Sequence, residues 1–216
     1  MKNYLLIALG ALLFSTVSMA DGIKFNETMS GYGIYEGIYR DIDLKLDIRV
    51  EDLDEWKNNP SYEAPMSGDL LVDGVFANTV TGYMQIFAQG NAGSCVSSSD
   101  CYHLVYWLKM NDGSADDNYF VGFKTVRNDG GLDIIDDMTT LQGCFTQDPY
   151  QPLQNYATEQ CDSKLYFEWW SLSNLYSFTT SMKAINTPWW RKWLVPGKFL
   201  KIAFGPLAKT YFPWIF

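Results

Sequence analysis

Ile42-Asp43-Leu44-Lys45-Leu46-Asp47-Ile48-Arg49-Val50 alternates apolar and charged residues without a break. A period of two puts the five aliphatic side chains on one face and Asp43, Lys45, Asp47 and Arg49 on the other, the pattern of a strand with one dry side and one wet side. The run leads into Glu51-Asp52-Leu53-Asp54-Glu55-Trp56-Lys57, whose first acids suit a helix N-terminus. Leu53 and Trp56 fall on one helical face, and Asn58-Asn59-Pro60 stops the helix.

Outward from this strand and helix, more strands are expected at 66–75, 80–88, 102–110, 119–126 and 164–170, each rich in β-branched or aromatic residues. Asp73-Gly74, Asn111-Asp112-Gly113 and Asn128-Asp129-Gly130-Gly131 tolerate positive φ and supply the reversals between them. Helical periodicity is sustained only over 172–185. The expectation is a mainly β chain, an antiparallel β-sandwich or barrel-like domain with one or two short helices, the sandwich being preferred.

The first residues read as a secretory signal. Lys2 precedes an apolar run from Leu5 to Phe14, and small residues at Ser18 and Ala20 place cleavage after Ala20. The apolar run is much shorter than the roughly 20 residues of a membrane-spanning helix. Three parts follow: a signal peptide over 1–20, a β domain over 21–186 and an aromatic C-terminal appendage over 187–216. An exported protein, periplasmic or secreted, is expected.

Charge divides the same way. Over 21–186 there are 25 acids against ten Lys plus Arg, whereas 187–216 holds Arg191, Lys192, Lys198, Lys201 and Lys209 and no acid. An acidic body repels phosphate backbones, so nucleic acid is set aside as a partner.

Export makes disulfides the natural state of Cys95, Cys101, Cys144 and Cys161. Four cysteines permit three pairings, of which the local one, Cys95 to Cys101 and Cys144 to Cys161, is preferred. A zinc site lacks any C-x-x-C pair and has only His103 to help.

No catalytic constellation is legible. His103 sits in an expected strand on the face that Lys109 shares, there is no G-x-S-x-G, and the reading for His103 is a surface or edge-strand residue. Asp129, Asp133, Asp136 and Asp137 crowd one acidic segment and are the candidate calcium ligands, although they do not follow an EF-hand spacing and solvated acidic loops are common. No dinucleotide-binding glycine fingerprint is present, and no cofactor other than that calcium is expected.

One family pattern does emerge. Phe25-Asn26-Glu27-Thr28-Met29-Ser30-Gly31-Tyr32 resembles the F-x-E-x-M-x-G-[YF] opening of the N-terminal accessory segment found ahead of the flavin domain in bacterial glucose-methanol-choline oxidoreductases of the cholesterol-oxidase-like group. Leu46 to Asp54 is similar to that segment's strand and D-[LV]-D turn, Tyr102-His103-Leu104 to its Y-x-L, and Gly122-Phe123-Lys124-Thr125-Val126 to its G-[FY]-K-x-[VI]. Gly131 to Leu141 resembles its closing D-[TM]-T-T-L run. The resemblance spans 25–141 in order and implies a stand-alone accessory β domain. It carries over no catalytic residue, because the flavin fingerprint and the catalytic histidine region of that family are missing here.

Trp189-Trp190-Arg191-Lys192-Trp193 opens the tail and Trp214 lies near its end. Indole rings favour the headgroup boundary and basic side chains favour anionic lipid, so Trp189, Trp190, Arg191, Lys192, Trp193 and Trp214 are the candidate ligand or membrane contacts. The competing role for the same rings is to cover an open edge of the β domain, with the basic groups offsetting its acids. Pro188, Pro196, Pro206 and Pro213 are expected to forbid one long helix. The expected function is an exported, non-enzymatic accessory or binding protein engaging a lipid-like ligand, a membrane surface or a secreted protein partner. Alternatives are a small hydrolase dependent on carboxylates or calcium, and a structural subunit of a periplasmic or surface assembly.

Overall fold

A computed structural model of the chain describes residues 20–59, 63–88, 101–111, 118–127, 139–147, 162–167 and 172–211. Its strands are β1 (Gly22–Tyr35), β2 (Ile38–Val50), β3 (Glu63–Val72), β4 (Val75–Ala88), β5 (Cys101–Met110), β6 (Tyr119–Arg127), β7 (Thr140–Thr146), β8 (Ser163–Tyr166) and β9 (Lys183–Ile185). The helices are α1 (Leu53–Asn58), α2 (Leu172–Ser181) and α3 (Val195–Tyr211).

Each strand from β1 to β8 pairs antiparallel with the next, and β8 returns to β1, so eight strands close into an up-and-down barrel. Of the two expected arrangements the chain adopts the barrel. β1 makes closure possible: it pairs with β2 along its whole length, with β8 at Ser30 to Tyr32 and with β9 at Gly22 to Lys24. At the β8 seam the backbones approach so closely that a Cβ on Gly31 would lie 2.0 Å from the Lys164 carbonyl oxygen, which makes glycine a requirement there.

The alternating run of β2 places Ile42, Leu44, Leu46, Ile48 and Val50 in the lumen, all buried. They meet Ile23, Phe25 and Met29 of β1, Met66 and Leu70 of β3, Val80 and Met84 of β4, Leu108 of β5, Phe120 of β6, Leu141 of β7 and Leu165 of β8. Outside, β2 presents Lys45, Asp47 and Arg49 to solvent. This polarity, apolar within and charged without, is the reverse of a lipid-facing barrel wall. A second cluster forms on the outer face of β5 to β7, where Val105, Val121, Phe123 and Cys144 are buried.

The two ends of the barrel differ. One carries two-residue hairpins, Glu36-Gly37 and Asp73-Gly74, with φ of 50° and 75° in the first and 51° and 75° in the second, the signature of type I′ turns. The Asp73-Gly74 turn was legible in sequence, and it ends β3 at Val72, short of the expected residue 75. The other end is covered by helices. Asp52 caps α1, its carboxylate accepting from the Asp54 and Glu55 amides, and turns Leu53 and Trp56 inward. Val195, Phe199 and Ile202, spaced i, i+4, i+7 along α3, point the same way and join the core.

Four expectations need correction. The periodic stretch 172–185 is helical only to Ser181, because Lys183 to Ile185 leave the helix to pair with the stretch of β1 that β8 does not reach. The last expected strand ends at Tyr166 rather than at 170. The tail does form a helix of 17 residues. Pro196 sits in its first turn, where the missing amide has no intrahelical acceptor, and the helix continues through Pro206 with one backbone hydrogen bond forgone. His103 is fully buried on a strand paired on both sides, neither a surface nor an edge residue, and its Nδ1 lies 3.1 Å from Thr125 Oγ1.

Candidate functional site

Two polar arrangements stand out. The first is inside the lumen. Glu27 of β1 and Lys124 of β6 both point inward from walls that are not neighbours, and they form an ion pair with side chains 8% and 3% exposed. Tyr106 Oη donates to the other carboxylate oxygen of Glu27 at 3.0 Å, and the Lys124 ammonium lies 5.4 Å from the Tyr106 ring centre. Complete burial, and next the Glu27 carboxylate beside it, push the Tyr106 phenol well above its ordinary value. The phenol is therefore a committed donor. Removing either charged partner would strand the other in the core, so the triad fixes β1 against β5 and β6. Glu27 and Lys124 are also the charged positions of two of the quoted motifs, which the fold brings together across the barrel.

The second arrangement lies at the helix-covered end. Between β9 and α3 the chain makes tight turns in which Arg191 N donates to Pro188 O, Leu194 N to Arg191 O and Lys198 N to Leu194 O. Both flanks are anchored. Asn186 Nδ2 donates to the carboxylate and carbonyl of Glu51, and Arg191 Nη2 reaches buried Asp21 at 2.6 Å. Lys198 Nζ bridges Asp21 at 3.3 Å and Asp54 at 2.8 Å. Burial pulls the Lys198 ammonium down, but its hydrogen bonds to Asp54 and Asp21 outweigh that and hold it above its ordinary value.

The anchored turn holds a knuckle of indoles in solvent. Trp189, Trp190 and Trp193 are 78%, 59% and 75% exposed, with Leu194 at 47%. Trp189 and Trp190 pack edge to face at 5.9 Å, and Trp193 Nε1 donates to the Trp190 carbonyl at 3.0 Å. Lys192 is exposed beside them, and Leu200 and Lys201 are exposed in the first turns of α3. Leaving large rings in water forgoes roughly 1.5–3 kcal/mol each relative to burial, which makes this anchored, exposed indole cluster the candidate contact surface.

No known family, curated protein or solved structure matches this chain. The site therefore stands on its own geometry.

Of the expected contact residues, Trp189, Trp190, Lys192 and Trp193 are brought together on one exposed turn. Arg191 belongs to the anchor, because its guanidinium is committed to Asp21. Trp214 lies outside the described residues, as do Asp129, Asp133, Asp136 and Asp137. Among the described residues no group of three or more potential ligands could hold a metal. Cys144 is disulfide-bonded. Cys95 and Cys161 lie outside the described residues, and the Cys101 backbone is in β5. No described helix is long and apolar enough to cross a membrane. Sequence reasoning missed Glu27, Lys124 and Tyr106 as a unit. The signal was there in β1, where Glu27 takes an inward position in the alternation Ile23, Phe25, Glu27, Met29.

Proposed function

We propose that this chain is an exported, non-enzymatic binding protein that docks on a membrane surface through the knuckle of Trp189, Trp190 and Trp193. The observation that carries the reading is the exposure of three indoles on a turn held rigid at both flanks. Rigidity matters because a pre-ordered surface loses little conformational freedom on binding. Indoles settle at the headgroup boundary, and Lys192 and Lys201 add attraction to anionic lipid of about 1 kcal/mol each. The acid-free composition of 187–216 keeps the acidic body's repulsion away from this contact. The accessory-domain resemblance supports a role beside other components rather than as a catalyst, and the local pairing of Cys144 with Cys161 belongs to the same exported reading.

Vesicle co-sedimentation tests it. The protein is expected to sediment with vesicles of phosphatidylethanolamine and phosphatidylglycerol, and the Trp189→Ala/Trp190→Ala/Trp193→Ala variant to remain in the supernatant while keeping its melting temperature. Sedimentation of that variant at the parent level would rule the knuckle out.

A further inference from the structure

Away from the lumen and the knuckle, the outer wall carries an arrangement that a β-sheet would ordinarily avoid. Lys24 of β1 lies directly opposite Arg49 of β2 on one side and directly opposite Lys183 of β9 on the other. Directly opposed residues share a face, so three cations stand in one row across three strands, and all three are exposed. Like charges placed opposite one another destabilise a sheet. The row also sits on a chain with a formal net charge of −9, where acids are the commoner choice for a solvent-facing position.

Local acids leave the row cationic. Arg49 is paired through Nε with Glu51 at its outer edge, and Asp47, one step along the wall, accepts from Asn26. The side chains of Lys24 and Lys183 have no ion-pair partner among the described residues. All three cations line a single cavity of about 560 Å³, which Asn26, Asp47, Pro65, Ser67 and Ser181 complete. The far side is fixed, since the Asn26 amide donates to Ser181 Oγ at 2.9 Å.

We propose that the Lys183–Lys24–Arg49 row is a binding site for a phosphate monoester, with the phosphate over Lys24 and the remainder of the ligand in the cavity. A dianion at Lys24 turns two repulsive cross-strand contacts into shared attraction. Two lysines and a guanidinium supply charge-assisted donors of the kind that recognise phosphate. Ser67, exposed on the cavity wall, offers a hydroxyl to neutral groups of the ligand, whereas the Ser181 hydroxyl is held by the Phe178 carbonyl and the Asn26 amide and shapes the wall. The cavity volume exceeds that of a bare ion, which calls for a small phosphorylated molecule or a phosphorylated lipid headgroup. This inference is independent of the tryptophan knuckle.

Calorimetric titration of the full chain separates the two sources. Glycerol 3-phosphate serves as the soluble monoester, and phosphatidylcholine vesicles with and without phosphatidic acid present the same group on a lipid. Saturable binding of the soluble ester assigns the site to a free ligand, and binding of phosphatidic acid vesicles alone assigns it to a headgroup. In either case affinity is expected to fall about tenfold in Lys24→Gln and further in Lys24→Gln/Lys183→Gln, with Lys57→Gln on α1 as an unaffected control. Without phosphate the Lys24→Gln protein should melt no lower than the parent, because a like-charge contact has been removed. The proposal is overturned if neither probe binds, if the lysine variants bind as the parent does, or if Lys24→Gln is destabilised in phosphate-free buffer.

Discussion

Phe199 and Trp193 belong to the same acid-free segment and end in opposite environments. Phe199 stacks on Trp56 with ring centres 5.8 Å apart and planes at 11°, and it also meets Phe25 at 4.8 Å. Trp193 keeps three quarters of its surface in water. Aromatic content alone does not decide a ring's role. The direction of α3 does, because Val195, Phe199 and Ile202 form the stripe that closes the barrel, while the turn before it faces away. The covering role read from the tail falls to the stripe rather than to the tryptophans: Val195, Phe199 and Ile202 cover the opening, Arg191 and Lys198 offset Asp21 and Asp54, and the three tryptophans stay exposed.

The comparison sharpens when the buried and exposed sides are broken separately. The largest loss is expected inside the lumen, where Lys124→Met leaves Glu27 buried without its cation and costs about 3–5 kcal/mol in denaturant unfolding. Phe199→Ala should follow, at about 3–5 kcal/mol from lost burial and the cavity left behind, with vesicle binding by the still-folded fraction retained. Tyr106→Phe removes one of two donors to Glu27 and is expected to cost about 1–3 kcal/mol. The smallest effect on stability belongs to the exposed indoles: each Trp→Ala change at 189, 190 or 193 should stay within about 0.5 kcal/mol of the parent. A large destabilisation from those variants would erase the distinction between the two sides.

The pH response divides the same way. A phenol whose folded-state pKa is raised contributes stability that is complete below its unfolded value of about 10 and is lost as pH climbs through the folded value. Tyr106 behaves so, and the raised Lys198 ammonium has the same sign. The protein is therefore expected to lose stability on the alkaline side above about pH 10. Tyr106→Phe should flatten that fall, which denaturant melts at several pH values would read directly. The exposed indoles carry no titrating group and should leave the profile unchanged.

Much of the barrel was legible because it is written in periods of two. Strand β2, helix α1 with its Asp52 cap and the Asp73-Gly74 turn follow from side-chain alternation and turn chemistry that act over a few residues. β1 was harder, since its alternation includes Glu27 at an inward position, and a buried carboxylate makes sense only once Lys124 and Tyr106 arrive from strands far along the chain. Closure was not legible for the same reason: it depends on Gly31 admitting the Lys164 carbonyl, a contact between distant segments. At the site, composition pointed to Trp189, Trp190, Lys192 and Trp193, but it could not tell that Arg191 turns back to Asp21. The cationic row was invisible in sequence, because Lys24, Arg49 and Lys183 are brought level only by strand register.

Tryptophan fluorescence with vesicles containing brominated phospholipid tests the central claim most directly, because bromine quenches only indoles that enter the bilayer interface. The account predicts that vesicles shift the emission to shorter wavelength and that brominated chains quench it in the parent. In the Trp189→Ala/Trp190→Ala/Trp193→Ala variant both effects should disappear. Unchanged parent emission at saturating lipid, or equal quenching in the variant, would contradict docking through the knuckle.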